Sequence, residues 1–379
     1  MKIIDINGFA LSSAYGDGDN FGQPLGVKSI GLVEIKTDSN IDGIGETYAG
    51  VYTPELISVF INQIKPFLIG KDPLDINQIY DSLQIPFISN NGIYKSIISA
   101  VDIALWDIKG KYLNKPIAEL LNKSFDITVK VYASGGSVAM SPKQIREDVE
   151  KIRNKGFAAY KMRVGYQKWD EDLDRVKAAK EILNEKNNLM VDAIMGTLNS
   201  WDLSTATEKE FQLREHNLTW LEEPLPPENF LDYKNLKINS KTPIALGEAF
   251  TGINEFESYI TNNCMDVLQP DITHCGGYSG AIKLLSLVEK YKLPISMHVW
   301  GSPIAFLANL HFALAFNLVE WLEVPQVKLQ FLNNEARKAH QIIDGNLTAN
   351  LSSGLGISIS DDDKNNFPFI SGSGYRIPG

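Results

Sequence analysis

Asn188-Leu-Met-Val-Asp192, Leu218-Thr-Trp-Leu-Glu222 and Pro243-Ile-Ala-Leu-Gly-Glu248 are three versions of one phrase, a short apolar run that ends on an acid. Each run reads as a β-strand, and the acids recur roughly every 25–30 residues, the pace of a (β/α)8 barrel. Residues at strand ends point into the mouth of such a barrel, where neighbouring strands lie only about 4.8 Å apart. Three carboxylates gathered there repel one another unless a cation sits between them. The pattern points to a bound divalent metal and a metal-assisted enzyme.

The same rhythm extends in both directions. Strand-like runs fall near Val129–Ser134, Ala158–Val164, Leu189–Ala193, Leu218–Glu222, Ile244–Glu248, Val267–Asp271, Ile295–Val299 and Val319–Glu323. Charged amphipathic stretches such as 141–155 and 169–186 separate them. Parallel strands need crossover helices, so eight strand–helix units imply a parallel barrel. An open doubly wound sheet usually has fewer strands and needs a phosphate-binding glycine turn; the chain has no GxGxxG or GxxxxGK. The first third keeps a different beat. Residues 1–12 and 27–46 read as strands around a polar loop, Gly16–Gly22, and helical patterns follow at 54–68, 74–83 and 93–121. The expected organisation is an α+β domain over 1–128, the barrel over 129–330, and a segment over 331–379 that packs back on the first domain.

Bulk properties narrow the class. With 46 acidic against 36 basic residues, the net charge of −10 gives no support for a nucleic-acid or membrane surface, both of which want basic patches. The two cysteines, Cys264 and Cys275, lack CxxC spacing and read as reduced thiols rather than a disulfide or zinc site. Met1-Lys-Ile-Ile-Asp-Ile6 alternates like a strand rather than a signal peptide. No apolar run approaches the roughly 20 residues of a membrane span. A reducing cytoplasm is the expected location.

Among candidate site residues, Asp192, Glu222 and Glu248 offer hard oxygen ligands with no Cys or His among them, which suits Mg²⁺ better than zinc. Any one of them alone would pass for a helix N-cap or a surface charge; three in register are harder to dismiss. The next strands supply Gln269-Pro-Asp271 and Ser296-Met-His298. A carboxylate and an imidazole at adjacent strand ends can form a dyad in which Asp271 orients the ring and raises its basicity. His274 falls in a loop and is the weaker histidine. In Tyr160-Lys161-Met162-Arg163, the period of two sends Lys161 and Arg163 into the barrel and Met162 toward the helices. Glu323 closes the last strand, where it could donate to a substrate oxygen as a neutral acid or begin the next helix.

As a set, Lys161-Met-Arg163, Val-Asp192-Ala, Trp-Leu-Glu222-Glu-Pro, Leu-Gly-Glu248, Gln-Pro-Asp271, Met-His298 and Trp-Leu-Glu323 resemble the mandelate racemase branch of the enolase superfamily. Val101-Asp-Ile-Ala-Leu-Trp-Asp-Ile-Lys109 resembles its capping-domain helix. The resemblance implies Mg²⁺ on Asp192, Glu222 and Glu248, a small carboxylate substrate, and a base that removes the proton α to that carboxylate. It also implies a homo-oligomer and capping-domain lids around Gly16–Gly22 and Glu46–Tyr52, with Asn20, Phe21 and Tyr48 as substrate contacts. One departure stands out. The common motif on the second strand is Lys-x-Lys, and Arg163 occupies the place of the second lysine. A guanidinium is a very poor base at neutral pH. That leaves His298 as the base, with Lys161 next. One-faced acid–base chemistry suits dehydration of an acid sugar (an aldonate or aldarate) to a 2-keto-3-deoxy acid. The alternatives are a racemase or epimerase of an α-hydroxy acid using His298 and Lys161, and a non-catalytic binding protein on the same fold.

Overall fold

The eight parallel strands close on themselves. The computed structural model describes residues 1–15, 24–85, 91–165, 168–183, 188–194, 200–327, 329–330 and 340–376. The chain begins with an antiparallel sheet of β1 (Ile3–Ala14), β2 (Val27–Thr37) and β3 (Gly43–Thr47). Helices α1 (Ala49–Tyr52), α2 (Leu56–Ile64), α3 (Ile76–Ser82), α4 (Gly92–Leu113) and α5 (Ile117–Leu121) follow. Two boundaries differ from the sequence expectation. The single run over 27–46 is two strands, because Asn40 takes the left-handed φ of 55° that a tight turn demands. The helix expected over 93–121 breaks at Asn114, φ 52°, and Pro116 then prevents its continuation.

The barrel strands are β4 (Thr128–Ser134), β5 (Ala159–Arg163), β6 (Asn188–Asp192), β7 (Trp220–Glu222), β8 (Ile244–Leu246), β9 (Val267–Leu268), β10 (Ile295–Met297) and β11 (Val319–Pro325). Between them run α6 (Pro142–Asn154), α7 (Trp169–Leu183), α8 (Leu203–Leu213), α9 (Phe230–Asn239), α10 (Ile253–Thr261), α11 (Gly277–Tyr291) and α12 (Pro303–Ala315). Each strand pairs in parallel with the next, and β11 returns to β4 with Leu322 opposite Val131. Alternation sorts the side chains. Met162, Val191, Leu221 and Leu246 join the main core under the helices. Tyr132, Met190, Trp220 and Ala245 form a separate cluster inside the barrel. Two residues beyond Met190 and Trp220, on the same inward face, stand Asp192 and Glu222, so the acids rest on an apolar floor.

Helix α4 fastens the N-terminal domain over the barrel. Gly45 lets β3 lie against it, since a Cβ there would come within 2.0 Å of the Ala100 carbonyl. Its buried Asp102 accepts the Ser279 N–H of α11 at 3.0 Å. The tail divides its contacts. A hairpin of β12 (Gln341–Ile343) and β13 (Asn346–Thr348) pairs antiparallel with the start of β4, whereas Phe367, Ser373 and Tyr375 contact Ser12, Ser29 and Val51 of the N-terminal domain. No described helix is long and apolar enough to cross a membrane. Cys264 and Cys275 are both buried free thiols.

Candidate active site

Strand register brings the acids together. Arg163 lies opposite Asp192, and Asp192 opposite Glu222, along β5, β6 and β7. Lys161 reaches into the middle of the group: its ammonium lies 2.5 Å from Glu222, 3.1 Å from Glu323 and 3.7 Å from Asp192. Burial works against a charged lysine, yet Glu222 and Glu323 raise its pKa well above the ordinary value, so here it is a fixed cation. Glu222 spends its other oxygen on Trp220 Nε1, at 3.0 Å, and Gln269 Nε2, at 2.7 Å. Asp192 accepts the Ile194 N–H at 2.9 Å. Burial raises the carboxyls of Asp192, Glu222 and Glu248 above the usual range, and repulsion among them adds to it.

Across the mouth, His298 donates from Nδ1 to Asp271 at 2.9 Å and turns Nε2 toward Glu248 at 3.2 Å. Burial would raise Asp271, but His298, Asn309 and the Thr273 N–H hold it below the ordinary carboxylate range. Asp271 is therefore an acceptor, which fixes the Nδ1 proton and leaves Nε2 to face the mouth. Burial would depress His298, but Glu248, the bond to Asp271 and Glu323 together push it up to about 9. Replacing Asp271 by Asn removes the charge and leaves a neutral amide in place of the carboxylate acceptor. We expect the imidazole pKa in an NMR titration to fall, and kcat to drop far more than KM changes; an unchanged titration curve would mean that Asp271 does not set the ring's basicity.

Glu323 lies at the mouth as a carboxylate rather than a neutral acid. Burial raises it, but Lys161, His298 and the Val299 N–H at 3.0 Å bring it well below the usual range, so it accepts hydrogen bonds instead of donating them. Arg163 donates to the Gly135 carbonyl at 3.1 Å and lines the cavity; burial opposes its charge, and Asp192 more than compensates. Tyr48 also lines the cavity, with its hydroxyl 3.4 Å from Glu248 and 3.3 Å from Tyr52. Asn20 and Phe21 lie outside the described residues. His274 is held down to about 4 by burial and sits against Ser96, a neutral wall group.

Of the aromatic wall, Trp300 and Tyr375 have no counterpart in the sequence reading, while Tyr52 ends the expected lid segment Glu46–Tyr52. Tyr52, Trp300 and Tyr375 come from the capping domain, the loop after β10 and the tail, and stack edge to face at 4.9–6.1 Å around a cavity of about 590 Å³. Gln269 was legible in principle, standing two residues before Asp271 on the same inward face. Glu46, expected in a lid, points away and accepts from Ser302 and Ala305 at the start of α12.

The fit to a divalent cation rests on donor chemistry and charge. Among the described residues no three acidic or imidazole groups form a ready cage, because Lys161 stands among the acids as their counter-ion. Yet Asp192, Glu222, Glu223, Glu248, Asp271 and Glu323 are all at or near this mouth, and among the described residues Lys161, Arg163, His298 and, further out, Lys28 and Lys151 stand against them. A buried oxygen of Glu223 has no hydrogen-bond partner. An excess of hard carboxylate oxygens with an unsatisfied member suits a hard dication.

A (β/α)8 barrel under an α+β cap, with strand-end acids facing a histidine–aspartate pair, matches known proteins along nearly its full length. Residues 144–364 match the enolase C-terminal domain-like family, and 24–122 the mandelate racemase / muconate lactonizing enzyme N-terminal domain. The chain belongs to the mandelate racemase / muconate lactonizing enzyme family of the enolase superfamily. Relatives include the L-talarate/galactarate dehydratase of Salmonella typhimurium, 31% identical over 341 residues, which are 89% of this chain and 82% of that one. The D-galactarolactone cycloisomerase of Agrobacterium fabrum is 29% identical over 87% of this chain and 89% of its own. The crystal structure of L-talarate dehydratase from Polaromonas sp. JS666, complexed with Mg and L-glucarate, is 28% identical with a TM-score of 0.78, covering 95% of this chain and 96% of that one.

Proposed function

We propose that this chain is an acid-sugar dehydratase: it removes the proton α to a carboxylate, expels the β-hydroxyl as water and releases a 2-keto-3-deoxy acid. The observation that carries this reading is the one-sidedness of the acid–base equipment. His298 Nε2 faces the mouth, while Lys161 and Arg163 are both locked as cations. In the proposed sequence, Glu248 would be committed to Mg²⁺ and no longer raise the imidazole, so that neutral Nε2 takes the α-proton and the electron pair moves toward the carboxylate as an enediolate. The C–O bond at Cβ then breaks, and the imidazolium gives its proton to the departing hydroxide. The resulting enol takes up a proton at C3 to become the keto acid. Asp271 keeps the ring aligned through both transfers. Arg163, with its charge fixed, stabilises developing negative charge rather than moving a proton. Asp192, Glu222 and Glu248 would hold Mg²⁺, which supplies Lewis-acid stabilisation of the enediolate charge.

The test is a screen of aldonates and aldarates with Mg²⁺, read as keto acid formed. We expect turnover that chelation abolishes and Mg²⁺ restores; no keto acid across the library would refute the reading. Recovery of inverted, α-deuterated substrate from D₂O without keto acid would instead establish a racemase. The 29% identity to a cycloisomerase supports a second reading, in which the departing oxygen belongs to a ring of the substrate. The product then keeps the mass of its substrate, whereas dehydration loses one water.

A further inference from the structure

The backbone after β7 does something that strand alternation does not. With Glu222 pointing into the barrel, the next residue should face the helices. Glu223 instead has a φ of 39°, the left-handed region that non-glycine residues avoid, and the turn leaves it lining the active-site cavity. Its side chain is buried, with only 6% exposure, and its Oε1 has no hydrogen-bond partner. Strain, burial and an unsatisfied carboxylate oxygen fall on one residue, immediately before Pro224 and among Asp192, Glu222 and Glu248. A residue serving only as support would have found a donor, since buried polar groups are seldom left unpaired.

We propose that Glu223 is a fourth carboxylate of the divalent-cation site, drawn to the bound ion or its water and unpaired without it. The proposal rests on reading Asp192, Glu222 and Glu248 as that site. It differs from a substrate contact in a measurable way. A group that serves the ion changes ion affinity in the absence of substrate; a group that serves only the substrate changes KM at saturating ion.

The experiment titrates MgCl₂ into metal-free protein by calorimetry, with melting curves at each Mg²⁺ concentration. Glu223→Gln keeps the shape and removes a buried like charge, so its metal-free melting temperature should rise. Its Mg²⁺ affinity should fall about 10–100-fold, the size of loss seen when groups supporting a metal's ligands are removed. Glu223→Asp keeps the charge on a shorter arm and should lose less, which guards against a misfolded amide variant. If the wild-type protein binds no Mg²⁺, the three-acid reading fails with the proposal. If the wild type binds and both variants match it, the proposal alone fails. Unchanged affinity with a raised KM in Glu223→Gln at saturating Mg²⁺ also overturns it, and makes Glu223 a substrate contact.

Discussion

His298→Asn should abolish the proposed turnover while leaving the fold in place. Asparagine fills part of the imidazole's space and can donate to Asp271, but it cannot take a proton. A positioned base of this kind contributes about 10²–10⁴-fold to rate, and with Lys161 and Arg163 held as cations the loss should reach the upper end or beyond. In D₂O, keto acid deuterated at C3 should also cease to form. The fold should survive because Asp271 keeps the Thr273 N–H and hydroxyl, at 2.8 and 2.7 Å, and Asn309 at 3.0 Å. The same substitution has a signature in the metal-free protein that needs no substrate. His298 is raised from 6.5 to about 9 in the folded state. A raised imidazole stabilises fully below its unfolded pKa, and the contribution disappears as pH climbs through the folded one. From the usual conversion of pKa shift to free energy this amounts to about 3 kcal/mol, lost between pH 6.5 and about 9. Urea melts across that window should show the wild type losing stability relative to His298→Asn. Parallel pH curves would show that the imidazole is not held charged by Glu248, Asp271 and Glu323. Residual formation of C3-deuterated keto acid in the variant would transfer the base to another residue.

How far this site could be read before folding depends on which contacts are local. Asp192, Glu222 and Glu248 were legible because strand alternation and strand spacing are properties of short windows, and the barrel converts equal spacing along the chain into a ring in space. Asp271 and His298 followed from the same rule. Glu223 did not, because alternation assigns it to the helix side and only the left-handed turn at φ 39° brings it to the cavity. Trp300 and Tyr375 were hidden for another reason: their partners come from Tyr52 and from each other across three distant segments. Glu323 was found at the right place in the wrong protonation state. The sequence places an acid at the strand end, but the carboxylate form depends on Lys161 and His298, which reach it only in three dimensions. The pairing of β13 with β4 is likewise a contact between distant sequence positions that no local pattern announces.

Lys161→Met should be the most destabilising single change at this site, and its size should depend on pH and Mg²⁺ in a way that identifies the cause. The methionine matches the lysine stem in bulk, so packing above Tyr132 changes little; what disappears is the ammonium held by Glu222, Glu323 and Asp192. Removing one partner of a buried ion pair costs about 3–5 kcal/mol, because the remaining charge stays buried and uncompensated. Here the loss falls on three acids at once, two of them already raised by burial and repulsion. Their folded pKa values should rise further in the variant. Raised carboxyls bind protons more tightly in the folded state than in the unfolded one, so the stability deficit shrinks as pH falls and the acids become neutral. Denaturant melts of metal-free protein should therefore show the largest gap between wild type and variant at pH 8 and a smaller one at pH 5. Mg²⁺ should also narrow the gap at pH 8, since a dication on Asp192 and Glu222 replaces the missing counter-charge and binds the folded state alone. A gap that is constant across pH would trace the loss to packing. A gap that Mg²⁺ leaves unchanged would mean that the acids held by Lys161 are not the acids that hold the ion.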